Sequence, residues 1–246
     1  MNRFTLSLLT LFLLVPVSVS ADDIEALVNK GDSLYGIYDY MQSVEYYEDA
    51  LLLDSSLAEP YWKISRSLNL YGELQPKENQ LELFERSAEA ARKTIAIDSL
   101  QPEGHFQLAR ALGKIALFKG IFKSVGLAKK VKKEAEITIE LKPDHDGAMH
   151  ILGRWHREVS KKPKFLRIPL GLSAADKKKG LPLLAKAIEL RPDVVNHRLE
   201  YAISLLDSDY DNEAKEQFNI CIGLIPSGPV DLKYQKQAKE YLAKME

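Results

Sequence analysis

The chain repeats itself at a spacing of 44 residues. The stretch from Asp54 to Leu68 reads Asp-Ser-Ser-Leu-Ala-Glu-Pro-Tyr-Trp-Lys-Ile-Ser-Arg-Ser-Leu. It is followed, 44 residues on, by Asp98-Ser-Leu-Gln-Pro-Glu-Gly-His-Phe-Gln-Leu-Ala-Arg-Ala-Leu112. A further step of 44 reaches Lys142-Pro-Asp-His-Asp-Gly-Ala-Met-His-Ile-Leu-Gly-Arg-Trp-His156. Arg66, Arg110 and Arg154 fall in one register, as do Ile64, Leu108 and Leu152. A period of this size means one supersecondary unit copied along the chain, each copy needing its neighbours to bury its apolar face. The core of such a chain is a strip running between units.

The helical signals agree with that division. No alternating β-branched run of strand length occurs, so a sheet has no candidates. Pro143, Pro192 and Pro226 follow helical runs, where the chain must leave the helix. Ser56-x-x-Glu59 and Ser173-x-x-Asp176 have the spacing of capping boxes. Pro182 falls inside the helical run from Ala174 to Leu190 and implies a kink or a later helix start. The tail after Asp231 is amphipathic, with Leu232, Tyr241 and Leu242 expected to face the last repeat as a cap with a polar outer face.

The units resemble tetratricopeptide repeats, helix–turn–helix pairs of 34 residues. Ile24 to Leu57 fits at full length, with Gly31, Ser43, Tyr47 and Ala50 at the small and large apolar sites. Val195 to Gly228 fits again, with Ala202, Leu205, Ala214, Phe218, Cys221 and Pro226. Between them lie units 58–101, 102–145 and 146–194, whose additions are expected between the two helices of each pair. The fold expected is therefore all-α: a tetratricopeptide-like α-solenoid of about five helix pairs, with a capping segment at 229–246.

A narrower resemblance, spanning residues 58 to 242, is to the regulator of microtubule dynamics family. It is carried by Trp62-Lys-Ile-Ser-Arg66, His150-Ile-Leu-Gly-Arg-Trp155, Leu184-Ala-Lys-Ala-Ile-Glu-Leu-Arg-Pro192 and Asp231 to Leu242. The resemblance implies a helical binding scaffold without catalytic residues. Animal members are linked to microtubules and to organelle contacts where lipid is handled. An exported bacterial chain would not meet microtubules, so that role is not carried over.

Composition narrows the function classes. The 246 residues hold 34 Lys+Arg against 35 Asp+Glu and are 46% hydrophobic, which excludes a disordered chain and a multi-pass membrane protein. A net charge of −1 gives no reason to expect nucleic acid. The single cysteine, Cys221, allows no intramolecular disulfide and no cysteine-based zinc site, and it sits where a repeat packs a small residue. Asn2-Arg3, an apolar run to Val15, Pro16 and Val19-Ser20-Ala21 read as a signal peptide over 1–21. The run is short for a bilayer that needs ~20 apolar residues. Export follows, into the periplasm if the source is bacterial.

No phosphate loop, nucleophile elbow, H-E-x-x-H or dinucleotide fingerprint occurs, so an enzyme has no residue to name and no cofactor is expected. His145, His150 and His156 stand five and six apart, which does not put two imidazoles on one helix face, so no metal site is expected. Asp144 or Asp146 is expected to cap a helix there.

Binding residues are proposed from the register alone. Trp62, Phe106 and His150 share one first-helix position; Arg66, Arg110 and Arg154 share another, one turn later. A groove carrying both rows would take a carboxylate or phosphate on guanidinium forks. The competing reading pairs each arginine with Glu59, Glu103 or Glu158, stapling repeats together. Charge is also uneven: residues 22–60 hold ten Asp/Glu and one Lys, and residues 114–179 hold seventeen Lys/Arg and seven Asp/Glu. Phe118, Ile121, Phe122, Phe165, Leu166, Ile168 and Leu170 interrupt the basic half. It reads either as a solvated face or as an edge meeting anionic lipid heads. The leading function is a scaffold whose groove takes an acidic or C-terminal peptide of a protein partner. The alternative is lipid binding or shuttling by the same groove. A deep apolar groove would favour lipid, and a shallow one lined by the three arginines would favour peptide.

Overall fold

The computed structural model describes residues 20–119 and 121–245, with the backbone alone at 121–123. The expected signal peptide therefore lies, but for its last two residues, outside the described residues. What is described is helix and turn, without strands.

Helices α1 (Ala21–Gly36) and α2 (Tyr40–Leu53) form the first pair, and α3 (Ala58–Leu74) and α4 (Lys77–Ile97) the second. The third joins α5 (Pro102–Ala116) to α6 (Ile121–Leu141). The fourth packs α7 (Asp146–Ser160) on α9 (Lys177–Leu190), with a single turn, α8 (Lys164–Arg167), between them. Helices α10 (Val195–Leu206) and α11 (Asp211–Gly223) are the fifth pair, and α12 (Pro229–Leu242) follows. Helices α3, α5 and α7 begin at Ala58, Pro102 and Asp146, 44 residues apart. Each pair packs on the next through its second helix, while α3, α5, α7 and α10 touch along the inner face.

Three apolar clusters form the strip. Val44, Tyr47, Ile64 and Leu68 join the first two pairs; Phe84, Leu108, Leu112, Ile115, Trp155 and Leu172 hold the middle; Leu199, Phe218, Cys221 and Ala238 tie the last pair to α12. A fully buried Leu or Phe contributes about 1.5–3 kcal/mol relative to exposure, so these clusters carry the fold. Cys221 is a packing residue: its thiol is buried and pushed up to about 12 by that burial.

Several local expectations are corrected. In the second and third units most of the extra residues extend helices instead of loops, since α4 and α6 each run 21 residues. The lysines at 129, 130, 132 and 133 are therefore on α6. Among the described residues, only the fourth unit carries a long insertion, residues 161–176. Helix α3 starts from Leu57 without a side-chain cap, while Ser56 bonds Asp54. Helix α9 is capped by Asp176 itself, and Pro182 sits within it. The cap of α7 is neither aspartate but His145, whose Nδ1 accepts from the Ala148 N–H at 3.2 Å.

Helix α12 departs further. Tyr241 does stack on Phe218, at 5.2 Å between ring centroids, but Leu232 faces solvent. From α12, Lys233 Nζ donates to the Glu73 carbonyl at 2.6 Å and the Tyr234 hydroxyl donates to the Glu73 carboxylate. Gly228 lies against the ring of Tyr38. The last helix thus reaches back across the concave side to α3 and to the α1–α2 turn.

Candidate functional site

Because α12 spans the concave side, the groove becomes a cavity of about 1410 Å³. Its lining divides in two. Val125, Ala128, Val131, Ile151, Trp155, Val159 and Leu170 belong to the middle apolar cluster. Glu73, Arg110, Lys114, His150, Arg154, His197 and Tyr234 form a polar wall from α3, α5, α7, α10 and α12. Small residues keep the space open: Gly113, on α5, lines it, and a Cβ there would meet nothing within 4 Å.

The polar wall is built around two buried carboxylates. Glu73, 5% exposed, lies 3.0 Å from Arg110 and 2.8 Å from Lys114. Burial alone would push its carboxyl up; Lys114 and Arg110 outweigh that and hold it far below the usual carboxylate range. Two cations around one anion leave a positive charge over at this point of the wall. Glu200 lies between Arg154 at 3.3 Å and Arg157 at 2.7 Å, and it too is held low against its burial.

Beside them, His197 Nε2 lies 2.7 Å from the Asp146 carboxylate, and its Nδ1 lies 3.1 Å from Nδ1 of His150, so that one ring donates to the other. Burial, then the neighbouring charges of His197 and Arg154, lowers His150 well below its usual value, so it stays neutral. Asp146 is held low by the same His197 contact, despite burial.

Of the residues proposed from the register, Phe106, Arg110, His150 and Arg154 line the cavity. Trp62 and Arg66 do not. Arg66 stacks at 3.7 Å on the Tyr35 ring and pairs with Asp32 at 3.3 Å, while Phe106 rests on His145 at 4.4 Å. All three arginines do bridge repeats, but their partners are Asp32, Glu73 and Glu200. Glu59 pairs with Lys63, Glu103 with His145, and Glu158 with Arg157 and Lys161. Lys114, Glu73, His197 and Tyr234 carry no recurrence in the sequence that would single them out.

Comparison with known proteins agrees with this architecture. No curated protein matches the chain. Among solved structures, a thermophilic TPR protein of Thermus thermophilus superposes over 89% of this chain and 99% of its own, with TM-score 0.65 at 16% identity. A MamA fragment (41-end) from Desulfovibrio magneticus RS-1 superposes over 83% of this chain and 96% of its own, with TM-score 0.53 at 14% identity. Both likenesses concern the fold, a tetratricopeptide solenoid. A sequence profile matches residues 27–246, nearly the whole described chain, and by that match the chain belongs to the family described as regulator of microtubule dynamics protein 1-3.

Proposed function

We propose that this protein is a non-catalytic scaffold that carries an amphiphile, with an acidic head at Arg110, Lys114 and Arg154 and an apolar tail along α6 and α7. One observation carries the reading: the concave side, crossed by α12, holds a large, partly open cavity with an apolar wall and a cationic one. Its volume of about 1410 Å³ exceeds the ~300–1,000 Å³ of small-molecule pockets. Each buried methylene of a tail adds ~0.8 kcal/mol. An extended peptide lying along the whole concave side would have to pass α12, which crosses it to Glu73. We further propose that the chain acts outside the cytoplasm, behind a signal peptide over 1–21.

The test is extraction of the purified protein with organic solvent and mass spectrometry of the extract, alongside titration with a fluorescent long-chain carboxylate. Gly113→Phe places a ring in open cavity space. We expect it to abolish uptake while the fold persists. A wild-type chain that yields no amphiphile and takes up no probe would sink the proposal.

A further inference from the structure

The insertion between α7 and α9 has a form that its own packing does not require. Phe165 is 72% exposed and Ile168 56%, with Leu166 beside them. These side chains are held outward by a buried cation. Arg167 turns inward, donating from Nε to the Lys162 carbonyl at 2.8 Å and from Nη1 to the Ala175 carbonyl. Pro163 and Pro169 bracket the turn. A loop free to tuck its apolar residues away would bury Phe165; this one is pinned with Phe165 in water.

The stretches around it are basic in sequence. Residues 159–175 contain four Lys/Arg and no Asp or Glu, and residues 114–133 contain seven Lys/Arg and no Asp or Glu. The fold brings the two stretches together at the cavity rim, where Leu117 and Lys119 stand with Lys162 and Leu166, and Lys129 lies against Gly171. Lys161 pairs with Glu158 and Asp207 and Lys119 with Glu85, while among the described residues Lys162 and Lys164 make no ion pair. Exposed apolar side chains flanked by the unpaired Lys162 and Lys164 match the composition of segments that lie in a membrane interface. Two copies of the patch would bring like charges face to face, which disfavours self-association. Among the described residues no helix is long and apolar enough to cross a membrane, so contact here would be peripheral.

We infer that the α7–α9 insertion docks the cavity rim onto a bilayer bearing anionic phospholipid headgroups, with Phe165, Leu166 and Ile168 inserted and Lys162 and Lys164 on the headgroups. The inference rests on the amphiphile reading only for why the patch stands at the rim.

The experiment is flotation of the full chain with phosphatidylcholine vesicles, with and without phosphatidylglycerol, at two salt concentrations. The wild type should float with the anionic vesicles and release as salt rises. Phe165→Ser with Ile168→Ser should weaken flotation by on the order of a hundredfold. Lys162→Glu with Lys164→Glu should weaken it roughly 25-fold or more, at about fivefold per lysine, and flatten the salt dependence. Both variants alter exposed side chains, and uptake of the fluorescent carboxylate in solution should persist in the serine variant, whose two positions do not line the cavity. Loss of uptake alone would count against the cavity reading. Docking itself is overturned by a wild type that stays with the pellet, equal flotation with neutral vesicles, or apolar variants that float unchanged. A concentration-dependent dimer that the serine variants break, without vesicle binding, would also overturn it.

Discussion

Glu73 decides how the polar wall holds together. Arg110, Lys114 and Tyr234, from two other helices, converge on its carboxylate. Removing the charge with Glu73→Gln leaves two cations facing each other in a buried place, and breaking a buried pair this way costs about 3–5 kcal/mol. The pH dependence has a definite sign. The folded pKa of Glu73 is depressed, so its stabilisation is complete above the ordinary value of 4.5 and is lost as pH falls below it. Thermal melts from pH 7 to pH 3 should therefore show the gap between wild type and the Gln variant narrowing below about pH 4.5, without closing by pH 3. A constant gap between the two would refute this assignment. The arginines themselves were legible because they recur; their partners were not. Glu73 stands 37 residues before Arg110 and Glu200 stands 46 after Arg154. Which carboxylate meets which guanidinium depends on how neighbouring helices rotate, and no spacing encodes that.

Between elements, α7 and α9 approach each other closely at a pair of glycines. A Cβ on Gly180 would stand 2.6 Å from the Gly153 carbonyl oxygen, and one on Gly153 would meet Leu184 at the same distance. Backbone cannot yield as a flexible side chain can. Gly180→Ala should therefore destabilise by ~1–3 kcal/mol, whereas Gly113→Ala, facing open space in mid-helix, should stabilise by about 0.5–1 kcal/mol. Chemical denaturation of the two variants checks this opposition. Ala214, fully buried in the last pair, offers a regional test. Ala214→Leu should cost ~1–3 kcal/mol, with faster hydrogen exchange confined to α10–α12. Loosening of α1 and α2 instead would contradict the nearest-neighbour coupling of a solenoid. The helical units were readable from their period and their prolines. The lengthening of α4 and α6 was not, because extra helical turns and an extra loop leave the same residue count between repeats.

Over the whole molecule, the contact that changes the architecture is made by α12. Its packing on the last pair could be anticipated from an amphipathic tail. Its reach to Glu73 and Tyr38 could not, because it depends on the curvature accumulated over all five pairs. Tyr234→Phe removes one hydrogen bond to a charged acceptor, worth about 1.5–3 kcal/mol. Exchange within α12 should rise on the order of tenfold or more, and release of a bound carboxylate probe should quicken, while α1 and α2 exchange as before. Unchanged exchange in α12 would mean that the closure is held by other contacts.

That closure also limits how such a chain can vary. An open solenoid can gain or lose a repeat by duplication or deletion, since each unit touches only its neighbours. Here, deleting one pair would shift Tyr234 relative to Glu73 by about the spacing of packed helices, ~8–10 Å, and the two ends would no longer meet. Change is left to act inside the units, in helix length and in the α7–α9 insertion. The drawn units already differ in this way, the fourth being fifteen residues longer than the first, at 49 against 34. A gene lineage under this constraint would conserve the number of pairs while the length of each drifts.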